Sequence, residues 1–385
     1  MSRSKTILIL GGGVGGLVTA VTLRKQLPRS HRIILVDKAR EHLFQPSLLW
    51  LMTGDRRPEQ IVRSLDGLNK KGIEVIRGTV ESIDAEHRSA VVNGKTYTGD
   101  FMVIALGAEL APESIPGLPE AGHSFYTLEG AAALQKALQG FGAGRLVVLT
   151  AAPAYKCPAA PYEAAMLLEA DLRKRKVREQ VQIDLYAAEP SPMGVAGPAV
   201  SAAVRGMVEA KGISYHPEHQ IASVDPQNKK LHFANGVEAE FDLLAYVPPH
   251  RAPKAVREAG LVNEAGWIPV DRSTLQTRFE GVFALGDITT IPLKMGKPLP
   301  KAGVFAHGQA EVVANNLVRA ITGKGQPTTF TGYGECFVEI GEGRAALGAG
   351  NFYGEPTPQV QMKAPSRRWH LGKVLFEKHW LWRWF

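Results

Sequence analysis

Two cysteines, Cys157 and Cys336, bring redox and nucleophilic chemistry to this chain. Cys157 stands in Lys156-Cys157-Pro158, between a strand-like run and a helix-like one, where a neighbouring ammonium and a helix start lower a thiol pKa and supply thiolate. Cys336 lies 179 residues further on in Gly334-Glu335-Cys336-Phe337, which reads as a glycine-rich turn. A lone cysteine is more often a small buried hydrophobe than a nucleophile; the placement of Cys157 is what argues for chemistry there. Glu163 is a candidate proton acceptor, with a competing reading as an acid favoured by the helix dipole in a first turn. A second chemical signal is Gly11-x-Gly13-x-x-Gly16, directly after the apolar run Thr6 to Leu10. There the first glycine makes a tight turn, the second admits pyrophosphate to the backbone and the third lets helix pack on strand.

These residues need elements to hold them. The helix Leu17 to Gln26 follows the glycines, and the strand Arg32 to Val36 ends in Asp37, twenty-one residues after Gly16, where a carboxylate accepts ribose hydroxyls. Glu41 to Gly54, rich in large apolar side chains in a loop and short helix, either covers a flat cofactor or is simply core, and the stretch alone favours core. Ile73 to Arg77 and Thr79 to Asp84 are strand-like, Ala90 to Tyr97 forms a hairpin around Asn93-Gly94, and Phe101 to Leu106 is a buried strand. Pro112, Pro116 and Pro119 mark a linker before the helix Leu128 to Gln139. A second α/β unit begins with the strand Arg145 to Thr150, but Ala151 to Pro158 holds no glycine and offers pyrophosphate no backbone to approach. A helix over Pro161 to Lys176 follows, opened by a proline suited to a first turn. The strand Ile183 to Ala187 and the helix Ala199 to Lys211 continue this unit, and Phe241 to Tyr246 leads back to the first.

Gly281 to Asp287 is an apolar strand ending in Gly286-Asp287, where the aspartate can accept hydrogen bonds from a ribityl chain, which NAD lacks. Pro300-Lys301-Ala302-Gly303 then opens the helix Val304 to Ile321, whose dipole suits negative charge on a flavin ring. Two nucleotide-contacting segments separated by an inserted α/β unit argue for FAD over NAD. The fold class is therefore α/β, with two Rossmann-like domains, the second inserted in the first. Residues 1–108 and 266–325 form the FAD domain, 109–265 the second domain with Cys157, and 326–385 a C-terminal region with Cys336.

A chain of 385 residues, 45% hydrophobic and 21% charged, has room for two cores. Its net charge of +8 suits an anionic surface, no nucleic-acid module is present, and no metal site is expected. No apolar run approaches the ~20 residues of a membrane span, and the N-terminus lacks the pattern of a signal peptide, so a cytoplasmic location is expected. The segment Arg367 to Phe385 mixes five Lys/Arg and one Glu with four of the six tryptophans. It reads as an amphipathic helix lying in a membrane interface, tryptophans at headgroup depth and cations on anionic lipid. Its rival reading is a helix docked on the core or on a second copy.

The chain resembles the two-dinucleotide-domain flavoproteins that include glutathione reductase and type II NADH dehydrogenases. The resemblance is carried by the Gly11 motif, Asp37-Lys38, Gly78-x-Val80, Ala105-x-Gly107 and Gly286-Asp287. Within that family it is most similar to sulfide:quinone oxidoreductases and flavocytochrome c sulfide dehydrogenases, through Phe44 to Trp50, Lys156-Cys157-Pro158 to Glu163, Pro300 to Ala306 and Gly334 to Phe337. It departs from three-cysteine members, holds no histidine between His123 and His216, and lacks the CxxC disulfide of glutathione reductase.

The resemblance implies that Cys157 and Cys336 converge as a disulfide or sulfur-bridged pair over one face of an FAD isoalloxazine. Hydrosulfide then attacks one sulfur and frees the other as thiolate, and polysulfide or persulfide is the product. FAD would be held by Gly11, Gly13, Gly16, Asp37, Lys38, Val80, Ala105, Gly107, Gly286, Asp287, Lys301 and Gly303, with Lys301 either stabilising the reduced ring or only capping toward solvent. Electrons would pass to a membrane quinone along a route lined by Phe337, Phe352 and Tyr353, in a monotopic enzyme on the cytoplasmic side of the membrane. The resemblance also allows self-association into a homo-oligomer. A type II NADH:quinone oxidoreductase, a soluble sulfide dehydrogenase feeding cytochrome c, and a non-catalytic flavin-binding redox sensor are the rival readings.

Overall fold

The computed structural model describes residues 4–385. Its first sheet grows from β1 (Thr6–Leu10), followed by α1 (Val14–Gln26), β2 (Arg32–Asp37), β3 (Glu74–Arg77) and β4 (Phe101–Ile104). Ile7 to Leu10 are fully buried, as a strand apolar on both faces must be inside a parallel sheet. Leu10 lies level with Val36 on one side and Ile104 on the other, all three strands parallel. The hairpin is present as Ser89–Val92 against Lys95–Thr98, with Asn93 and Gly94 both left-handed at φ 50° and 70°.

The chain then builds a second sheet. Thr127 caps α2 (Leu128–Gly140) by accepting a hydrogen bond from Gly130 N at 3.0 Å. After it come β5 (Gly144–Thr150), α3 (Ala160–Lys174), β6 (Val181–Ala187), α4 (Pro198–Glu209), β7 (Ser214–His216) and β8 (Leu243–Val247). The strand order is β8-β5-β6-β7, with the short strand His123–Ser124 outside β8 and every pairing parallel. The chain returns to the first sheet as β9 (Val282–Ala284), which pairs with β4 and completes the order β9-β4-β1-β2-β3. Helix α5 (Gly303–Thr322) then packs beside α1 in one apolar core that includes Leu17, Val21, Val313 and Leu317.

The last part of the chain differs from its sequence-based description. Residues 333–366 form an antiparallel meander of β10 (Tyr333–Gly341), β11 (Arg344–Asn351) and β12 (Gln359–Ser366), and α6 (Arg367–Arg383) follows. Cys336 is therefore within a strand opposite Gly348, not in a turn. Gly334 is there for space: a Cβ would stand 2.5 Å from the Phe305 ring.

Helix α6 is docked on the core as well as amphipathic. Lys373, Glu377, Trp380, Leu381 and Trp384, spaced along one face, are buried. Two of the four tryptophans expected at headgroup depth thus serve the interior, and Trp380 donates from Nε1 to His42 Nε2 at 3.2 Å. The opposite face is another matter: Leu371, Leu375 and Trp382 are 56%, 57% and 76% exposed. Among the described residues no helix is long and apolar enough to cross a membrane.

Candidate active site

The carboxyl ends of the two parallel sheets are where an open α/β sheet forms a cleft for its ligands. In the first, Gly11 has φ 103° and Gly16 faces its carbonyl so closely that a Cβ would lie 1.7 Å from Gly11 O. Ala105 O abuts Gly11. At Gly13, by contrast, a Cβ would meet nothing within 4 Å, so the turn presents bare backbone to an open cradle. Asp37 spans the loop, accepting from Gly12 N at 2.5 Å and from Ala39 N at 2.7 Å. Lys38 is exposed, Val80 is half-buried at a strand start, and Gly107 bounds open space.

Opposite them, Gly286 N donates to Gln309 Oε1 at 2.7 Å, while Asp287 Oδ1 is buried without a hydrogen-bond partner among the described residues. An orphaned buried acceptor costs roughly 1–3 kcal/mol; it fits a bound hydroxyl such as a ribityl chain carries. Gly303 opens α5, whose first turn contains no acid. The donors, the open glycine and this acceptor all fit an FAD.

Lys301 Nζ donates to the carbonyls of Asp287 and Thr289 at 2.7 and 3.1 Å and lies 3.3 Å from the centre of the Trp267 ring. Burial lowers its pKa to about 8 against the pull of Asp287. His250, for which the sequence offers no signal, belongs to the same cluster. Its Nδ1 faces Pro248 O at 2.8 Å, its Nε2 is buried and unpartnered among the described residues, and its ring stands edge-on to Tyr126. Burial, then Lys156 and Lys301, hold its pKa down at about 3, so it is neutral.

The second cleft is filled by the protein itself. Glu189, just past the end of β6, accepts hydrogen bonds from the hydroxyls of Thr150 at 2.8 Å, Tyr162 at 2.7 Å and Tyr155. In a nucleotide-binding unit, an acid at that strand end meets the ribose; here three hydroxyls of the chain occupy it.

This clamp holds the loop that carries Cys157. The residue itself is left-handed at φ 53°, its N–H donates to Lys301 O at 2.7 Å, and the Tyr126 hydroxyl reaches the carbonyls of Lys156 and Cys157 at 2.8 and 3.3 Å. Glu163, in the first turn of α3 and 2% exposed, reaches across to the strand of Cys336: its Oε1 accepts from Glu339 N at 2.9 Å. The same oxygen pairs with Lys373 Nζ of α6 at 2.8 Å.

Both cysteines are free thiols. Burial pushes Cys157 well up, with Cys336 and Glu163 adding to it and Lys373 opposing. Cys336 is raised to about 12 by burial and Glu163, again opposed by Lys373. The expectation of a lowered Cys157 pKa is therefore corrected: Lys156 does attract the thiolate, but burial outweighs it. Its ammonium acts on Asp287 ahead of Cys157, and the cation that opposes the shift at both thiols is Lys373. The two thiols are near enough that each lies in the field of Glu163 and Cys336 acts on Cys157.

Lys373 is 4% exposed, so this cation of the tryptophan-rich segment belongs to the site and not to lipid. Burial works against its charge, but Glu163 and Glu339 hold its pKa above the ordinary lysine value. The helical period of α6 puts residues 373, 377, 380, 381 and 384 on one face, a signal that the segment carries an inward as well as an outward side. Of the three aromatic residues expected along one route, Phe352 and Tyr353 join a single cluster through Phe305 and Phe330, and Phe337 lies apart from it. Phe337 packs against Gly372 of α6. Phe352 meets Phe305, and Tyr353 meets Phe330 with its hydroxyl on Arg272 O at 2.8 Å.

Comparison with known proteins finds the family "Pyridine nucleotide-disulphide oxidoreductase" over residues 5–310. A sulfide-quinone reductase of Aquifex aeolicus is 30% identical over 99% of this chain and 91% of its own length. The mitochondrial sulfide:quinone oxidoreductase of Mus musculus is 25% identical over 91% of this chain and 79% of its own. The crystal structure of the Aquifex aeolicus sulfide:quinone oxidoreductase superposes with a TM-score of 0.89 at 28% identity, covering 99% of this chain and 91% of that one.

Proposed function

We propose, for a chain that belongs to the pyridine nucleotide-disulphide oxidoreductase family and within it to the sulfide-quinone reductases, a division of labour between its two clefts. The chain is an FAD-dependent sulfide:quinone oxidoreductase. The first cleft holds FAD, through the backbone around Gly13, the carboxylates of Asp37 and Asp287, and the start of α5 at Gly303. Bound there, FAD supplies a two-electron acceptor that can hand its electrons on to a quinone. Lys301 stands where its ammonium favours negative charge on that acceptor.

The sulfide site lies beside the second cleft, which the protein itself closes. Cys157 and Cys336, free thiols in this structure, form the redox pair: joined as a disulfide once their two electrons have passed to the FAD, they are attacked by hydrosulfide, which bonds to one sulfur while the S–S bond breaks and the other sulfur leaves as thiolate. Burial lifts both thiols, so their thiolates form only with help; Lys373 provides the compensating charge. Glu163 accepts the proton that sulfide gives up, through Oε2, which makes no hydrogen bond among the described residues. The observation that carries this reading is Glu163, which ties the helix following Cys157 to the strand of Cys336 beside a nucleotide cleft already closed by Tyr155, Tyr162 and Glu189. That closure disfavours NADH as electron donor.

The exposed face of α6 favours a lipid surface. Leu371, Leu375 and Trp382 form an apolar strip bordered by the exposed Arg367, Arg368, Lys378 and Arg383, the composition of a helix lying in an anionic interface. Phe337, under Gly372 of that helix, is then the nearest of the three aromatics to a quinone arriving from the bilayer.

An anaerobic titration tests the whole. Sulfide is expected to bleach the flavin absorbance and decylubiquinone to restore it, with no bleaching by NADH. Bleaching by NADH and none by sulfide reverses the assignment.

A further inference from the structure

Oxidation of one hydrosulfide releases one proton with its electron pair: HS⁻ → S⁰ + H⁺ + 2e⁻. The electrons go to quinone, but the proton is set free at a site closed to water. Glu163, Lys373 and Glu339 are 2%, 4% and 1% exposed. A buried carboxylate that has taken a proton must return it before the next turnover, so the site needs an outlet.

The outlet lies on the far side of Lys373. Glu339, on the same strand as Cys336, lies in the field of the Lys373 ammonium, and both its carboxylate oxygens face His370 Nδ1, at 3.1 and 3.0 Å. His370 is the member of the cluster that meets solvent, with 32% of its side chain accessible. Its Nδ1 is committed to Glu339, which leaves Nε2 to water. The remaining side is sealed. The Trp50 ring, 2% exposed, lies 5.0 Å under Lys373 Nζ and edge-on to His370, and it carries Arg56 on its ring at 4.5 Å. Arg56 is itself paired with Glu377 at 3.0 Å and so is no alternative exit.

We propose that His370, acting through Glu339, is the proton outlet of the sulfide site. The proposal rests on the sulfide-oxidising reading and deepens it. The S–H bond of sulfide breaks and its proton passes to Glu163; the Lys373 ammonium, paired with Glu163 and not with Glu339 in this structure, takes it up and swings to Glu339 to yield one; Glu339 passes it to His370, which releases it to water. Every residue ends in the protonation state it began with, and no charge accumulates. A histidine is the side chain suited to such an exchange, since its two nitrogens accept and donate near neutral pH. Burial raises the pKa of Glu339, which equips that carboxyl to hold a proton in transit.

The test uses His370→Ala and Glu339→Gln in the FAD-loaded full chain, with steady-state sulfide-dependent reduction of decylubiquinone as readout. In His370→Ala the rate at saturating sulfide is expected to fall about tenfold, and added imidazole to restore it to within about threefold of wild type. Glu339→Gln is expected to slow turnover equally, without rescue, because the break lies inside the protein. A His370→Ala enzyme as fast as wild type overturns the proposal. So does one that is slow, keeps its FAD, and ignores imidazole, since that is the behaviour of a merely structural histidine. A wild type that reduces quinone with NADH but not with sulfide is a separate outcome: it removes the sulfide reading, and the outlet with it.

Discussion

Replacing Glu163 by Gln is expected to make the two thiols more acidic while it slows the enzyme. In the native site the carboxylate and the Lys373 ammonium, 2.8 Å apart, nearly cancel at the distance of the cysteines. A neutral amide in place of that carboxylate would leave the ammonium unopposed and still charged, because Glu339 supports it. The size of the effect follows from the strand. Glu163 is bonded to the amide of Glu339, three residues along from Cys336, or ~10 Å at the usual rise per residue. A unit charge at ~10 Å in an effective dielectric of ~20 is worth about 1.7 kcal/mol, or about one pH unit of thiol titration. The Cys336 midpoint, about 12 in the native protein, should therefore fall by about one unit. The assay is the pH dependence of iodoacetamide alkylation in the reduced, FAD-loaded protein, with each cysteine followed by peptide mapping. At a fixed pH of about 8, alkylation should be about tenfold faster, in step with the thiolate fraction. Sulfide turnover, deprived of its proton acceptor, should drop by a factor of roughly 10² or more. An alkylation profile that stays where it was, or moves to higher pH, refutes the reasoning.

Three further outcomes are expected. Gly16→Ala places a methyl group 1.7 Å from Gly11 O, which forces the cradle open; the purified variant should lack the flavin absorbance of bound FAD, and full occupancy would contradict the assignment of that cleft. His250 is neutral in the fold, with a pKa of about 3, but titrates near 6.5 when unfolded. Well above that value it has no effect; as pH falls below it only the unfolded chain gains the proton, so the fold loses roughly 1.4 kcal/mol per pH unit down to about pH 3. His250→Asn should flatten the acid side of the Tm-against-pH curve, and an unchanged slope would place the burden on other groups. Replacing Leu371, Leu375 and Trp382 together by Ser, all on the exposed face of α6, should abolish co-sedimentation with anionic vesicles; undiminished binding would locate the lipid contact elsewhere.

Much of the fold is legible because its signals are local. The apolar run Thr6 to Leu10 next to three spaced glycines specifies a strand, a turn and a helix without reference to distant residues. The same holds for the hairpin around Asn93-Gly94 and for the missing glycines after Thr150. The proposed sulfide site is different, because its parts come from three elements that only tertiary packing brings together. Glu163, Glu339 and Lys373 lie on α3, β10 and α6, and nothing in their spacing marks them as partners. Cys336 reads as a turn residue because Gly334 looks like a breaker, whereas the Phe305 ring requires a glycine at that place in a strand. Lys373 reads as a lipid contact because a cation among tryptophans suits an interface. Which side of a helix faces inward depends on a partner, and that partner, Glu163, is 210 residues away.

The two parallel sheets pose the same topological offer and the side chains beyond their strands decide what is made of it. At both carboxyl edges a crevice is bound to form where strand connections diverge. In the first sheet β1 runs into a tight turn at Gly11 and an open Gly13, which leaves the crevice free beside Gly13, and Asp287 Oδ1 is buried without a partner among the described residues. In the second, β5 runs through Ala151 to Tyr155, and the tyrosine turns back onto Glu189, so the acid that would meet a ribose is saturated by Tyr155, Tyr162 and Thr150. Opening that crevice would take more than removing the rings, because it still lacks the glycines that bring pyrophosphate to the backbone. What the closed crevice provides instead is a rigid edge. With Tyr155 fixed two residues before it and Tyr162 five after, Cys157 is held in a left-handed conformation that a free loop would seldom keep. A binding crevice given up on one side thus becomes the anchor of the Cys157 loop on the other.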